Sequence, residues 1–387
     1  MRIAPRTMLC GIAWRVHVNV AGDRFDELRQ LCAAAGDKPS LAIGMAGLVM
    51  DHAFQARMRD ASQLASETMT LIESVGDATL TVGLSLQVIH AKVESGEWCD
   101  VLRWPQVAID LADGDPSKGD FVVGAPLALA FTSRGLASCF LGRPGWGDGQ
   151  RHGLAMARKA DPMSFATGVS YVYFAGIPMG ALVPDDSAVR EIEDALRIAE
   201  RSGDDLALAV TRMTLGVALV HRHTAAERDR GQKLLAEVSE VFLRPGHNLA
   251  DLPIVNVYLA RERARRGDRD EAIPLMRAAV DHLVREGQLL GWGIPATGVL
   301  VETLLDRGAD SDSDGDLAEA EAAVERLAAA PTEDGAAVRD IWLLRMRALM
   351  ARAHRGDAAY ADLRDRYRDM ARTLGFEGHI ATADAMP

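Results

Sequence analysis

Apolar residues along this chain recur at helical spacing and almost nowhere alternate as they would in a strand. Ala272, Ile273, Met276, Ala279, Val280, Leu283 and Val284 fall at i, i+3, i+4 and i+7, which places them on one stripe of a helix. The same spacing runs through Val101, Trp104, Ala108 and Leu111, through Val189, Ile192, Leu196 and Ala199, and through Tyr360, Leu363, Tyr367, Met370 and Leu374. Each stripe predicts a helix with one dry face. Residues 162–184, PMSFATGVSYVYFAGIPMGALVP, carry no charge and are apolar on every side. That length could cross a membrane, but Pro178 and Pro184 break it and Ser164, Thr167 and Ser170 dilute it, so a buried helix is expected.

The helices end on a recurring signal, a small residue followed by a polar one: IESVGD, DLADGD, MARKAD, RIAERSGD, HLVREGQ and MARTLGF. The endings at Gly76, Gly114, Ala160 and Gly203 are 38, 46 and 43 residues apart, and Gly203 to Gly287 is 84, or two steps. Between them lies a second set of turns at Gly96, Gly142, after Val220, and at Gly267, Gly308 and Gly356. Each repeat is therefore helix, turn, helix, turn. Ala260, Ala272 and Ala279 match the small positions of the tetratricopeptide pattern, and Leu215-Gly216 echoes its Leu-Gly, although that pattern spans about 34 residues and this period is longer. The fold expected is all-α, a right-handed α-α superhelix or tetratricopeptide-like solenoid of about eight helical hairpins. An α/α toroid, in which first and last repeats join, is the alternative. Residues 1–37 are expected as a helical segment ending a preceding repeat, 38–376 as the array, and 377–387 as a C-terminal tail.

One charged knot, RRGDRDE around Arg266-Gly267-Asp268, sits where an earlier helix needs a left-handed cap and a later one needs acidic residues at its start. It marks a turn between antiparallel helices. The chain has 387 residues and a formal net charge of −12, and its positive charge is almost all Arg scattered among Asp and Glu. No basic face for direct nucleic-acid binding follows from that. Cys10, Cys32, Cys99 and Cys139 lie far apart without a Cys-x-x-Cys pair, and Arg15 interrupts the short apolar run after Arg6. Neither a disulfide framework nor a signal peptide is indicated, so the expected setting is the cytoplasm, with no membrane attachment.

Catalytic signatures are missing: there is no P-loop, no His-Glu-x-x-His, no Ser-x-x-Lys and no Gly-x-Ser-x-Gly. No catalytic or cofactor-binding residue is assigned, no cofactor is expected, and the chain is not expected to be an enzyme. GRPGWGDG at 142–149 reads as a helix-helix loop, His221 and His223 as solvated turn residues, and Asp185 and Asp186 as the cap of the helix that begins near Val189. The sharpest local match is DSDSDGDLAEAE, where Asp310, Asp312, Asp314 and Glu321 have calcium-loop spacing and the backbone of Asp316 takes the carbonyl position. An acidic linker with Asp316 as a helix cap explains the same residues.

Several stretches, among them ALAFTSRGLASCFLGRPGW, DDSAVREIEDALRIAERSGDDLALAVTRMTLGVALVHRHTAAERDRGQKLLAEV, ARERARRGDRDEAIPLMRAAVDHL and LGFEGHIATADAMP, carry a resemblance. They resemble the C-terminal tetratricopeptide-like region of bacterial multidomain signalling proteins that join a class III adenylate cyclase domain, a P-loop ATPase domain and, in some, a LuxR-type regulator domain. The resemblance runs from about Trp14 to Pro387. It implies a regulatory arm whose partner is another protein or an upstream cyclase/ATPase domain, with no catalytic residue to carry over. The leading function is thus an interaction scaffold for signal transduction, with Val257, Arg261 and Arg265 facing a groove in tetratricopeptide register. A second is a sensor for a small-molecule inducer bound near Tyr171, Tyr173, Phe174 and Trp292. A third is an α/α-toroid enzyme using Asp185, Asp186 and Glu302. The apolar start, MLCGIAWRVHVNV, is expected to pack on another chain or domain, including self-association through this end.

Overall fold

The computed structural model describes residues 3–18, 22–311, 314–332 and 335–387, and every regular element among them is helical. The chain opens with α1 (Ile3–Ile12), a short 3-10 turn (Ala13–Val16) and α2 (Asp23–Ala35). Eight hairpins follow: α3 (Lys38–Phe54) with α4 (Met58–Val75), α5 (Ala78–Ser95) with α6 (Trp98–Ala112), α7 (Pro126–Phe140) with α8 (Trp146–Ala157), and α9 (Pro162–Val169) with α10 (Asp186–Ser202). The second four are α11 (Asp205–Val220) with α12 (Ala225–Phe242), α13 (Leu252–Arg265) with α14 (Arg269–Arg285), α15 (Gly293–Ser311) with α16 (Asp314–Ala328), and α17 (Ala337–Ala353) with α18 (Asp357–Leu374). A last helix, α19 (Glu377–Ala385), occupies the stretch expected as a tail.

The Gly-Asp signal has a simple physical content. Gly76 and Gly203 adopt the left-handed conformation that closes one helix, with φ of +72° and +69°. The next residue, Asp77 or Asp204, then caps the following helix by accepting the N–H of Leu80 or Ala207 at 3.0 Å. Asp37, Asp161 and Asp185 cap in the same way. Each such cap stabilises its helix by about 1 kcal/mol.

Two layers result. The first helix of each hairpin packs on the first helix of the next, from α3 through α17, and of these inner helices α5, α11 and α15 are apolar nearly all round. In α5 every residue from Leu80 to Glu94 except His90 is buried, and in α15 so is every residue from Gly293 to Val301. The second helices bury one stripe and turn their charges outward, as Ile192, Ala195 and Ala199 do on α10. The uncharged run at 162–184 is internal too: α9 continues through a π-helical turn (Ser170–Phe174) that buries Tyr171, Val172 and Phe174. Among the described residues no helix is long and apolar enough to cross a membrane.

The array is wound tightly enough for distant repeats to touch. Trp98 Nε1 donates to Leu290 O at 2.9 Å, and Trp292 Nε1 reaches back to Glu94 Oε2 at 2.7 Å. Gly96, at φ +71°, lets the two turns meet, since a Cβ there would lie 2.6 Å from the Leu290 carbonyl carbon. Trp342 Nε1 donates to Met179 O at 3.2 Å, and α17 touches α7. α19 docks on the same turn: the N–H of His379 donates to Gly180 O at 2.9 Å and its Nε2–H to Met179 O at 2.9 Å, while Nδ1 accepts from Tyr367. Burial pushes the His379 imidazole down to about 3, so it is neutral at physiological pH. Among the described residues the extensive helix contacts run between neighbouring hairpins and across the coil, as in an α-α superhelix.

The N-terminal segment is used internally in part. Cys10, Ala13 and Trp14 are buried against the chain's own helices, whereas Met8 and Val16 remain 60% and 61% exposed. Winding depends on one close approach: a Cβ on Gly298 would sit 2.1 Å from the Trp342 ring. Gly298→Ala is expected to cost about 2–3 kcal/mol of stability in chemical denaturation, by forcing that ring from its place. An unchanged midpoint would show that the contact is not tight.

Candidate functional site

A groove runs between α13, α15 and α17, in two connected parts of about 330 and 700 Å³ that share Glu302 and Asp306. Arg261, Arg265, Arg269, Arg345, Arg352 and Arg355 line it against those two carboxylates. Arg261 and Arg265 come from α13, Arg345 and Arg352 from α17, Arg269 from the first residue of α14 and Arg355 from the turn after α17. Arg261 lies over the Tyr258 ring, 4.6 Å from its centroid, and donates to Val220 O at 2.9 Å. Arg265 donates to Val220 O at 3.2 Å and to Glu262 at 2.5 Å. Arg345 stacks on Trp342 at 4.7 Å and pairs with Glu302 at 2.5 Å. Burial, then the neighbouring charge of Arg265, pulls Arg261 down to about 10, which still leaves it cationic at neutral pH.

Two of the three groove residues expected from the sequence, Arg261 and Arg265, line this space. Val257 does not: it is fully buried, because α13 is covered on its apolar side by neighbouring inner helices. His221 departs from the solvated turn residue expected. Its Nδ1–H donates to Val217 O at 2.7 Å and its Nε2 accepts from Arg261 at 3.1 Å, so burial and the guanidinium keep it neutral, well below the usual histidine range. His223 is exposed. Asp185 caps α10, Asp186 pairs with Arg222, and Glu302 pairs with Arg345, so these carboxylates serve three separate partners.

Asp312 of the calcium-like stretch lies outside the described residues, as do the side chains of Asp310 and Asp314. Asp316 and Glu321 both stand on α16, where Asp316 receives two bonds from Arg307, at 2.8 and 2.6 Å, and Glu321 meets His354 at 2.7 Å. The Arg307 guanidinium holds the Asp316 carboxyl below the ordinary range. With Asp316 inside α16, where its backbone carbonyl belongs to the helix, and Glu321 held by His354, calorimetric titration at millimolar calcium is expected to give no saturable heat. Saturable heat would restore the calcium loop.

Three of the four aromatic residues expected around a small ligand do meet. Tyr171, Phe174 and Trp292 line one interior cavity, and the Phe174 and Trp292 rings lie 4.6 Å apart. Tyr173 points away, donating to Glu191 at 2.6 Å. The same cavity holds two carboxylates that sequence reasoning passed over, Glu94 and Asp251, which are 3% and 5% exposed. Burial raises both well above the usual carboxylate range, and the charge of Asp251 pushes Glu94 further up. A raised folded-state value means stability present near and below the ordinary 4.5 of a Glu is lost as pH rises through the shifted range. Glu94→Gln is therefore expected to raise Tm by a few degrees at about pH 8, with the gain shrinking towards about pH 4.5. A Tm at about pH 8 no higher than the parent's, or a gain of the same size at both pH values, would contradict this.

Fold and sites together define an all-α helical-repeat protein, an α-α superhelix with an arginine-lined groove and an acidic interior cavity. The chain is similar to a solved crystal structure, the apo form of RapI, at 11% identity and TM-score 0.45, over 100% of this chain and 99% of that one. No protein-family profile and no curated protein matches it. At this level of likeness, function is argued from the chain's own residues.

Proposed function

We propose that this protein is a non-catalytic regulatory scaffold that holds an acidic segment of a protein partner in the groove between α13, α15 and α17. One observation carries this: six arginines against two carboxylates line a single groove in a chain whose net charge is −12. Such a concentration of guanidinium groups against the overall charge attracts carboxylates and fixes their orientation through paired N–H donors. Tyr258 and Trp342 hold Arg261 and Arg345 in place beforehand, which lowers the entropy lost on binding.

The resemblance to the repeat region of cyclase–ATPase signalling proteins agrees with a regulatory role, and an acidic stretch of such a domain is a suitable occupant. A cytoplasmic setting and contact through the exposed Met8 and Val16 with a second chain belong to the same reading.

Fluorescence anisotropy with a labelled decaglutamate peptide provides a direct check. Binding is expected to weaken about tenfold in an Arg265→Ala, Arg352→Ala double variant and to fall as salt rises, while decalysine does not bind. Equal affinity of the variant and the parent would remove the groove from the account.

A further inference from the structure

The interior cavity holds two carboxylates and no cation. Its walls are Trp14, Phe54, Tyr171, Phe174 and Trp292, with Met50, Met163 and Met213, and neither Lys nor Arg lines it. The nearby Lys92, two residues before Glu94 and so on nearly the opposite side of α5, is committed elsewhere: its ammonium donates to Ser62 at 2.8 Å and to Glu97 at 2.5 Å. His90 lines the cavity too, but burial pulls it down to about 4, so it supplies no charge at neutral pH. Burying carboxylates without a counter-charge is strongly unfavourable unless they are protonated or a cation joins them.

Each carboxylate is held by one oxygen only. Trp292 Nε1 donates to Glu94 Oε2 at 2.7 Å, and Asn248 Nδ2 donates to Asp251 Oδ2 at 2.7 Å. No protein donor reaches the second oxygen of either among the described residues. His90 Nδ1 meets the Tyr171 hydroxyl at 3.3 Å, and its buried Nε2 has no partner. The π-helical turn at Ser170–Phe174 brings Tyr171 and Phe174 to the same wall, a distortion of the kind that recurs at binding sites. The cavity measures about 60 Å³, room for roughly four water-sized groups.

These features select a class of ligand. Aromatic faces attract cations through their quadrupoles, and carboxylate oxygens accept N–H donors. A bare divalent metal fits poorly, since no set of three His, Cys, Asp or Glu side chains able to hold a metal is found among the described residues. We propose that the cavity binds a small organic ammonium ion, its N–H groups donating to the free oxygens of Glu94 and Asp251 and its alkyl part lying on Trp292, Phe174, Phe54 and Trp14. This goes beyond the groove and does not depend on it.

The test uses the full chain, isothermal calorimetry and tryptophan fluorescence, with ethylammonium chloride, whose three heavy atoms fit the cavity, as probe and ethanol as its neutral counterpart. Saturable binding of the amine is expected, with a fluorescence change from the indoles in the wall. Affinity should fall at least about tenfold in Glu94→Gln and in Asp251→Asn, and ethanol should bind at least about tenfold more weakly than the amine. Circular dichroism confirms that each variant is folded, and the Arg265→Ala, Arg352→Ala protein should bind the amine unchanged. No binding of the amine, equal binding of ethanol, binding of magnesium chloride with the amine's affinity, or unaltered amine binding by both carboxylate variants would each overturn the proposal.

Discussion

The structure depends on covering helices that are apolar on more than one side. A helix with a single dry stripe is satisfied by one neighbour, but α5, α11 and α15 bury residues around nearly their whole circumference and need partners on both faces. Their own second helices cover one side. The other side is covered only if the inner layer curls on itself, which brings α17 to α7 and the turn at Leu290 to the turn at Gly96. Curling is thus a consequence of composition, and the amphipathic second helices become the solvated skin.

Curling also sets the electrostatics. Polar side chains on the inner helices end either on the rim, where water and neighbouring charges reach them, or inside, where they do not. Arg261, Arg265 and Arg345 line the groove, each supported by a carbonyl, a carboxylate or an aromatic ring. Glu94 and Asp251 lie inside, and there the cost of charge falls on the acids themselves. A chain with an excess of acids therefore offers arginines in its accessible groove and keeps two carboxylates out of sight.

Much of the architecture was legible in the sequence because it is local. Stripes such as Ile273, Met276 and Val280 specify which face is buried, and the glycine-aspartate pairs mark where one helix stops and the next starts. At 377–387, expected as a tail, GHIATADA shows no stripe that would announce α19; what holds this helix is His379 on the Met179 carbonyl, 200 residues away. The interior cavity was half visible. Tyr171, Phe174 and Trp292 stand out as aromatics in uncharged surroundings, but Glu94 in VESGE and Asp251 in LADLP look like ordinary acids near helix ends. A signal did exist: His90 and Glu94 lie four residues apart on one side of a helix whose other charged residue, Lys92, falls on the opposite side. Val257 and His221 were misplaced because burial depends on the winding, which no window of sequence reports.

The paired indoles have a mechanical meaning. Solenoid proteins ordinarily behave as a row of units that meet only their nearest neighbours, so they peel open from an end. Here Trp98 grips the Leu290 carbonyl while Trp292 grips Glu94, which ties one part of the row to another about four hairpins further along. Loosening either turn frees both, so the middle of the array melts as a block, and a molecule lodged in the cavity beside Trp292 would act as a rivet on that block.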